Sequence, residues 1–122
     1  MKIPFLRQPR LLVALFALIA GAVGCATQPQ LYYFGDYSRA LYHHKKNPTP
    51  ETLAAYETSL RKVIQTSSKK NLRVPPGVYC ELAYLLHGQG KAAEANGFFD
   101  LEVQTYPEST KFVAFVRSNL NK

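Results

Sequence analysis

The spacing of apolar positions divides the chain into one uniform run and a series of helical stripes. Residues 11–20 are apolar throughout; Gly21-Ala22-Val23-Gly24, Cys25 and a polar Thr27-Gln28-Pro29-Gln30 follow. A membrane span needs about 20 apolar residues, and this run is roughly half that. Lys2, Arg7 and Arg10 precede it and small residues close it, which is the pattern of a cleaved secretory signal. From Tyr32 onward the period becomes that of a helix. Tyr33, Tyr37, Leu41 and His44 share one face, which predicts a first helix over 32–46, with Asp36 or Ser38 able to cap a start after Gly35 and Asn47-Pro48 as the stop. Thr49, Pro50 and Glu51 supply a cap, a first-turn proline and an acid at the positive end of the dipole. They open a second helix reaching about Thr66, with Leu53, Tyr56, Leu60, Val63 and Ile64 on its apolar face.

Residues 67–71 read as a polar loop, and Pro75-Pro76-Gly77 restarts the chain. A third helix is expected over about 76–87 with Tyr79, Leu82, Ala83 and Leu86 inward, then a tight turn at Gly88-Gln89-Gly90. A fourth runs over about 91–105 with Ala92, Ala95, Phe99 and Val103, or the stem of Glu102, on one side; Tyr106-Pro107 ends it. Glu108-Ser109-Thr110 starts a last helix carrying Phe112, Phe115, Val116 and Leu120. No segment alternates like a strand, apart from a faint stretch at 72–74. The expected class is all-α: about five helices in antiparallel hairpins with short connections. The expected organisation is a signal peptide over 1–24, a tether over 25–31 and a helical domain over 32–122.

Removing 24 residues from 122 leaves 98, enough for one domain with a modest core. The formal charge of +7 falls to +4 when Lys2, Arg7 and Arg10 leave with the signal. The remainder is uneven. Between Asp36 and Arg73 there are eight cations and three anions; from Val74 onward there are four cations and five anions. The basic half suits an anionic surface or an acidic partner, or is an ordinary solvated face. Export makes nucleic acid an unexpected partner.

Ala22-Val23-Gly24-Cys25 resembles a bacterial lipobox. That resemblance implies cleavage before Cys25, diacylation of its thiol and acylation of the new amino terminus. Each buried methylene adds about 0.8 kcal/mol, so several chains together make a lasting anchor. Ala26 stands where aspartate would favour inner-membrane retention in similar enterobacterial lipoproteins, which implies a place at the outer membrane, on its periplasmic side. With Cys25 carrying lipid, Cys80 has no disulfide partner. It falls in an apolar helical stretch and reads as a buried, inert thiol. His87, seven residues away, is far for a catalytic dyad.

Residues 76–107 resemble one tetratricopeptide repeat. Tyr79 takes the large aromatic place, Leu82 and Ala83 the Leu-Gly pair, Leu86 the next large place and Gly90 the turn. Ala95 and Phe99 are the small and aromatic places of the second helix, and Pro107 is the closing proline; Glu102 stands where the repeat has alanine. A second resemblance covers most of the mature chain. The stretches from Tyr32 to Tyr42, from Lys45 to Tyr56 and from Pro75 to Tyr84 are similar to an uncharacterised family of small proteobacterial lipoproteins. Its members are typically encoded beside a lipoprotein resembling the curli secretion channel (CsgG/HfaB type). The resemblance implies a subunit or accessory of an envelope complex and carries no catalytic residues.

The pattern offers no chemistry of its own. His43 and His44 point about 100° apart on a helix, and no Cys or Asp set completes a zinc site beside them. Gly88-Gln89-Gly90 follows a helix and lacks the strand context of a phosphate loop. The acids are scattered, and the serines and threonines show no nucleophile elbow. No metal or cofactor is expected beyond the lipid on Cys25. The expected function is a non-enzymatic, lipid-anchored adaptor binding an envelope protein. Tyr33, Tyr37, Tyr42, Tyr79 and Tyr84 are its candidate contacts, and Arg39, Lys45 and Lys46 steer association. Those tyrosines have a second role open to them, as core residues with hydroxyls at the rim. The alternative function is binding an anionic envelope polymer, peptidoglycan or lipopolysaccharide, through the basic region 39–73. Mass spectrometry of the protein taken from its own membranes is expected to find a triacylated Cys25 at the amino terminus; an unmodified thiol there would remove the anchor.

Overall fold

The computed structural model describes residues 29–121. The signal peptide, the lipobox and Cys25 lie outside the described residues. Five α-helices and one short 3-10 turn make up the described chain: α1 Tyr37–Lys46, α2 Pro50–Lys69, α3 Val78–Gly88, α4 Ala92–Thr105, the 3-10 turn Pro107–Ser109, and α5 Thr110–Leu120. No strand occurs among the described residues. Short connections join α1 to α2 and α3 to α4 as two antiparallel hairpins. Each helix packs mainly on its neighbours in sequence, and α5 closes the end of the stack.

Helix α1 starts five residues later than its apolar spacing suggests. Gly35 has φ +52, and a Cβ there would lie 2.7 Å from the Tyr33 hydroxyl, so the segment before it turns sharply instead of coiling. The Tyr37 amide donates to the Phe34 carbonyl (3.0 Å) across that turn. At the other end His43, His44, Lys45 and Lys46 fill the last turn, where the helix dipole favours cations. Helix α2 opens as its sequence predicts. The Thr49 hydroxyl accepts from the Thr52 amide (3.2 Å), and the Thr52 hydroxyl accepts from the Thr49 amide (2.9 Å).

The expected polar loop at 67–71 is a correction. Ser67, Ser68 and Lys69 continue α2, because Ser67 extends the inward stripe of Leu60 and Val63 and is fully buried. Its small side chain fits where a larger one would hold the helices apart. Asn71, at φ 53, then ends the helix, with the Leu72 amide donating to the Ser67 carbonyl (2.9 Å).

The core is formed by Tyr56, Leu60 and Val63 of α2, Leu82, Ala83 and Leu86 of α3, and Ala95 and Phe99 of α4. Ala83 and Ala95 have no exposed surface; with so little side chain they let the hairpin helices approach closely. Glu102 is buried among these apolar groups. Its Oε1 accepts from the Gly77 amide (2.8 Å) at the start of α3 and lies 3.4 Å from the Ser109 hydroxyl. A carboxylate where the repeat has alanine thus caps the neighbouring helix and ties the 3-10 turn to it.

Helix α5 packs Val116 and Leu120 against the core as their spacing suggests, but with Val113 in place of the two phenylalanines. Val113 is buried, while Phe112 and Phe115 are 59% and 65% exposed. Both stripes have helical spacing. Arg117, beside Val113's stripe, donates to the Asp100 carboxylate (2.7 Å) and the Asn96 carbonyl (3.0 Å), which fixes the inward face against α4. Phe99→Ala is expected to cost about 3–5 kcal/mol in urea unfolding. Phe115→Ser should stay within about 0.5 kcal/mol of the parent.

Candidate functional site

A groove of about 560 Å³ runs along the side formed by α1, α3 and α5. Helix α1 contributes Leu41, His44 and Lys45; α3 contributes Cys80, Glu81, Tyr84 and Leu85; α5 contributes Phe112 and Val116. Tyr84 is 56% exposed, so with Phe112 it presents aromatic surface to solvent along the groove.

The floor is polar and internally satisfied. The Tyr37 hydroxyl donates to both oxygens of Glu81 (2.9 and 3.0 Å), and the Tyr56 hydroxyl donates to Oε2 of the same carboxylate. The His44 ring stacks on Tyr56 with centroids 5.8 Å apart, and its Nδ1 lies 3.3 Å from the Thr52 hydroxyl. Burial, followed by the hydrogen bond and charge of Glu81, pushes the Tyr37 phenol up to about 12. The same causes raise Tyr56 further. Cys80 lines this groove from below. Burial, followed by the charges of Glu102 and Glu81, pushes its thiol up to about 11, the opposite of an activated nucleophile.

The sequence candidates separate into distinct surroundings. Tyr37 is half-buried and anchors the floor. Tyr84 lines the groove. Tyr79 is half-buried and stacks on Phe98 at 6.2 Å, away from the groove. Tyr42 is exposed on α1, outside the groove lining, with the Lys46 ammonium 5.8 Å from its ring centroid. Tyr33 sits under the Lys70 ammonium, 4.9 Å away. Lys45 lines the groove, while Arg39 borders a hollow on the other side of α1 with His43 and Glu51.

Several cations of the basic region are held within the fold. Arg61 pairs with Glu57 and Glu94 (2.9 Å each), and Lys62 lies 3.8 Å from Asp36. Arg73 donates to the Thr105 carbonyl (2.7 Å) and stacks over Tyr106. A second hollow of about 640 Å³ lies over α2 and α4, bounded by Arg61, Lys62 and Phe98. Glu57 and Glu94 already hold Arg61 there, and the Arg61 guanidinium lies 5.9 Å from the Phe98 ring centroid. Among the described residues, no three His, Cys, Asp or Glu side chains gather as a metal site, and no helix is long and apolar enough to cross a membrane.

Sequence reasoning did not single out Glu81, Leu41, Leu85, Phe112 or Val116 as one site. A signal existed: Glu81 is the lone charge between Val78 and Leu86, and Leu41/Lys45, Glu81/Leu85 and Phe112/Val116 are each spaced i, i+4 on one helix face.

The described residues define an all-helical protein with an aromatic-edged groove. A family model described as a domain of unknown function, DUF4810, matches residues 31–116, and the chain belongs to that family. No curated protein and no solved structure matches the chain.

The Tyr37 phenol has a pH consequence. Its pKa is raised from 10.0 to about 12 on folding, so its neutral form stabilises the fold fully below pH 10. That contribution is lost as pH rises from 10 toward about 12. Tyr37→Phe is expected to flatten the fall in stability across this window, read by urea midpoints at stepped pH.

Proposed function

We propose that this protein is a non-enzymatic adaptor, anchored by lipid on Cys25 to the periplasmic side of the outer membrane, and that it holds a protein partner in the groove between α1, α3 and α5. The channel-forming lipoproteins of the CsgG/HfaB type are the partner class that the family resemblance suggests. The observation that carries the reading is the exposed aromatic pair Tyr84 and Phe112 beside a preformed groove. Large apolar side chains clustered at a concave surface mark binding sites more often than chance exposure does. The packing of α3, similar to that in tetratricopeptide arrays, gives such a groove a firmly held central wall.

The test is affinity capture of the native protein from its own cells in mild detergent. A stoichiometric partner is expected that survives high salt and is lost from a Tyr84→Ser/Phe112→Ser variant whose melting temperature is unchanged. Retention on peptidoglycan or lipopolysaccharide that fades with salt would replace the adaptor with a polymer-binding module. A partner captured equally by the variant would move the contact away from the groove.

A further inference from the structure

We infer that the groove takes an amphipathic α-helix of the partner, with its apolar stripe between Tyr84 and Phe112 and acidic side chains facing Lys45. The inference rests on the assignment of the groove as the partner site and adds the chemistry of the occupant.

The backbone argues for a helix. All three walls are α-helices, whose main-chain groups are bonded within themselves. An extended peptide laid in this groove would find no edge to pair with and would leave its own amides and carbonyls unpaired. A helix brings its hydrogen bonds with it and needs only side-chain contacts. On α5 the apolar pair Phe112 and Val116 stands at i, i+4, and on α3 Tyr84 and Leu85 face the same space, which offers a stripe to an opposing helix.

Charge argues for acidic flanks. The one carboxylate in the groove, Glu81, is engaged on both oxygens by the phenols of Tyr37 and Tyr56. It keeps its negative charge, since phenols hydrogen-bond a carboxylate without neutralising it, but it lies half-buried beneath the rim. Lys45 also lines the groove, in the last turn of α1, and the ion pairs among the described residues involve only Arg61, Lys62 and Arg117. Beyond the groove edge, α5 offers exposed Phe115 with Lys111 one turn before it on the same face. The groove therefore carries an unpaired cation at its exposed rim, and its one carboxylate is half-buried and already hydrogen-bonded on both oxygens. A lysine-rich helix would set its charges against Lys45 and reach a carboxylate only at the half-buried Glu81; a glutamate-flanked one pairs with Lys45 at the exposed rim.

The experiment measures fluorescence anisotropy on the full chain purified from its membranes and held in zwitterionic phosphatidylcholine nanodiscs. Three labelled peptides of about 16 residues share one leucine stripe at i, i+3, i+4 and i+7. The first is flanked by glutamates, the second by lysines; the third is the glutamate peptide with a central proline that breaks the helix. At low salt the glutamate helix is expected to bind about five- to tenfold tighter than the lysine helix, a gap that shrinks in Lys45→Ala. The proline peptide should lose most of its affinity, and Tyr84→Ser/Phe112→Ser should lose all three. Equal or tighter binding of the lysine helix would overturn the acidic flank, and equal binding of the proline peptide would overturn the helix. Binding of no peptide overturns the inference; if a groove-dependent partner is still captured from cells, the adaptor reading stands without it. A concentration-dependent dimer in sedimentation, abolished by Tyr84→Ser/Phe112→Ser, would assign the groove to a second copy of this chain and overturn the inference as well.

Discussion

Two phenol hydroxyls donated to one carboxylate hold the first hairpin to the second. Tyr37 comes from α1, Tyr56 from α2 and Glu81 from α3, so three helices meet at a single charged group. Glu81 is half-buried, and the two donors replace the water its oxygens lose on that side. The arrangement is directional where apolar packing is not. It fixes how α1 rotates about its axis, and thereby which residues of α1 face α3. Leu41 and Lys45 line the groove because Tyr37, one turn earlier, points at Glu81.

A second carboxylate, fully buried, does similar work at the same end of α3. Glu102 reaches from α4 to the Gly77 amide and sets where α3 begins. Helix α3 is thus positioned at its start by an acid from the following helix and along its side by phenols from the two preceding ones. That matters for a groove whose middle wall is α3. Rigid placement of the wall lowers the ordering cost of binding, which area alone does not capture.

Much of this fold is written in local chemistry. Thr49, Pro50 and Glu51 announce α2 because capping involves neighbours in sequence. The pairing of α3 with α4 is equally plain from Ala83, Ala95, Phe99 and the turn at Gly90, where φ is 78. The parts that were not legible depend on partners far along the chain. Ser67 looks like loop in composition, and only the helix packed against it makes it core. Phe112 and Val113 begin two stripes of equal periodicity, and the contact of Arg117 with Asp100 and Asn96 decides between them. The site was half legible. Tyr84 and Lys45 were visible as candidates, but Glu81 gains its meaning from hydroxyls 25 and 44 residues away.

Helix α5 has a consequence for how the groove behaves in time. It places one fully buried apolar side chain, Val113, against the body, and its clasp to α4 through Arg117 is partly exposed. Elements with so few buried contacts open at free energies well below that of global unfolding. One wall of the groove therefore belongs to a separate, weaker cooperative unit than the other two. An occupant of the proposed kind, touching Phe112, would draw part of its affinity from holding that wall in place. On that proposal α5 is less a cap than a latch.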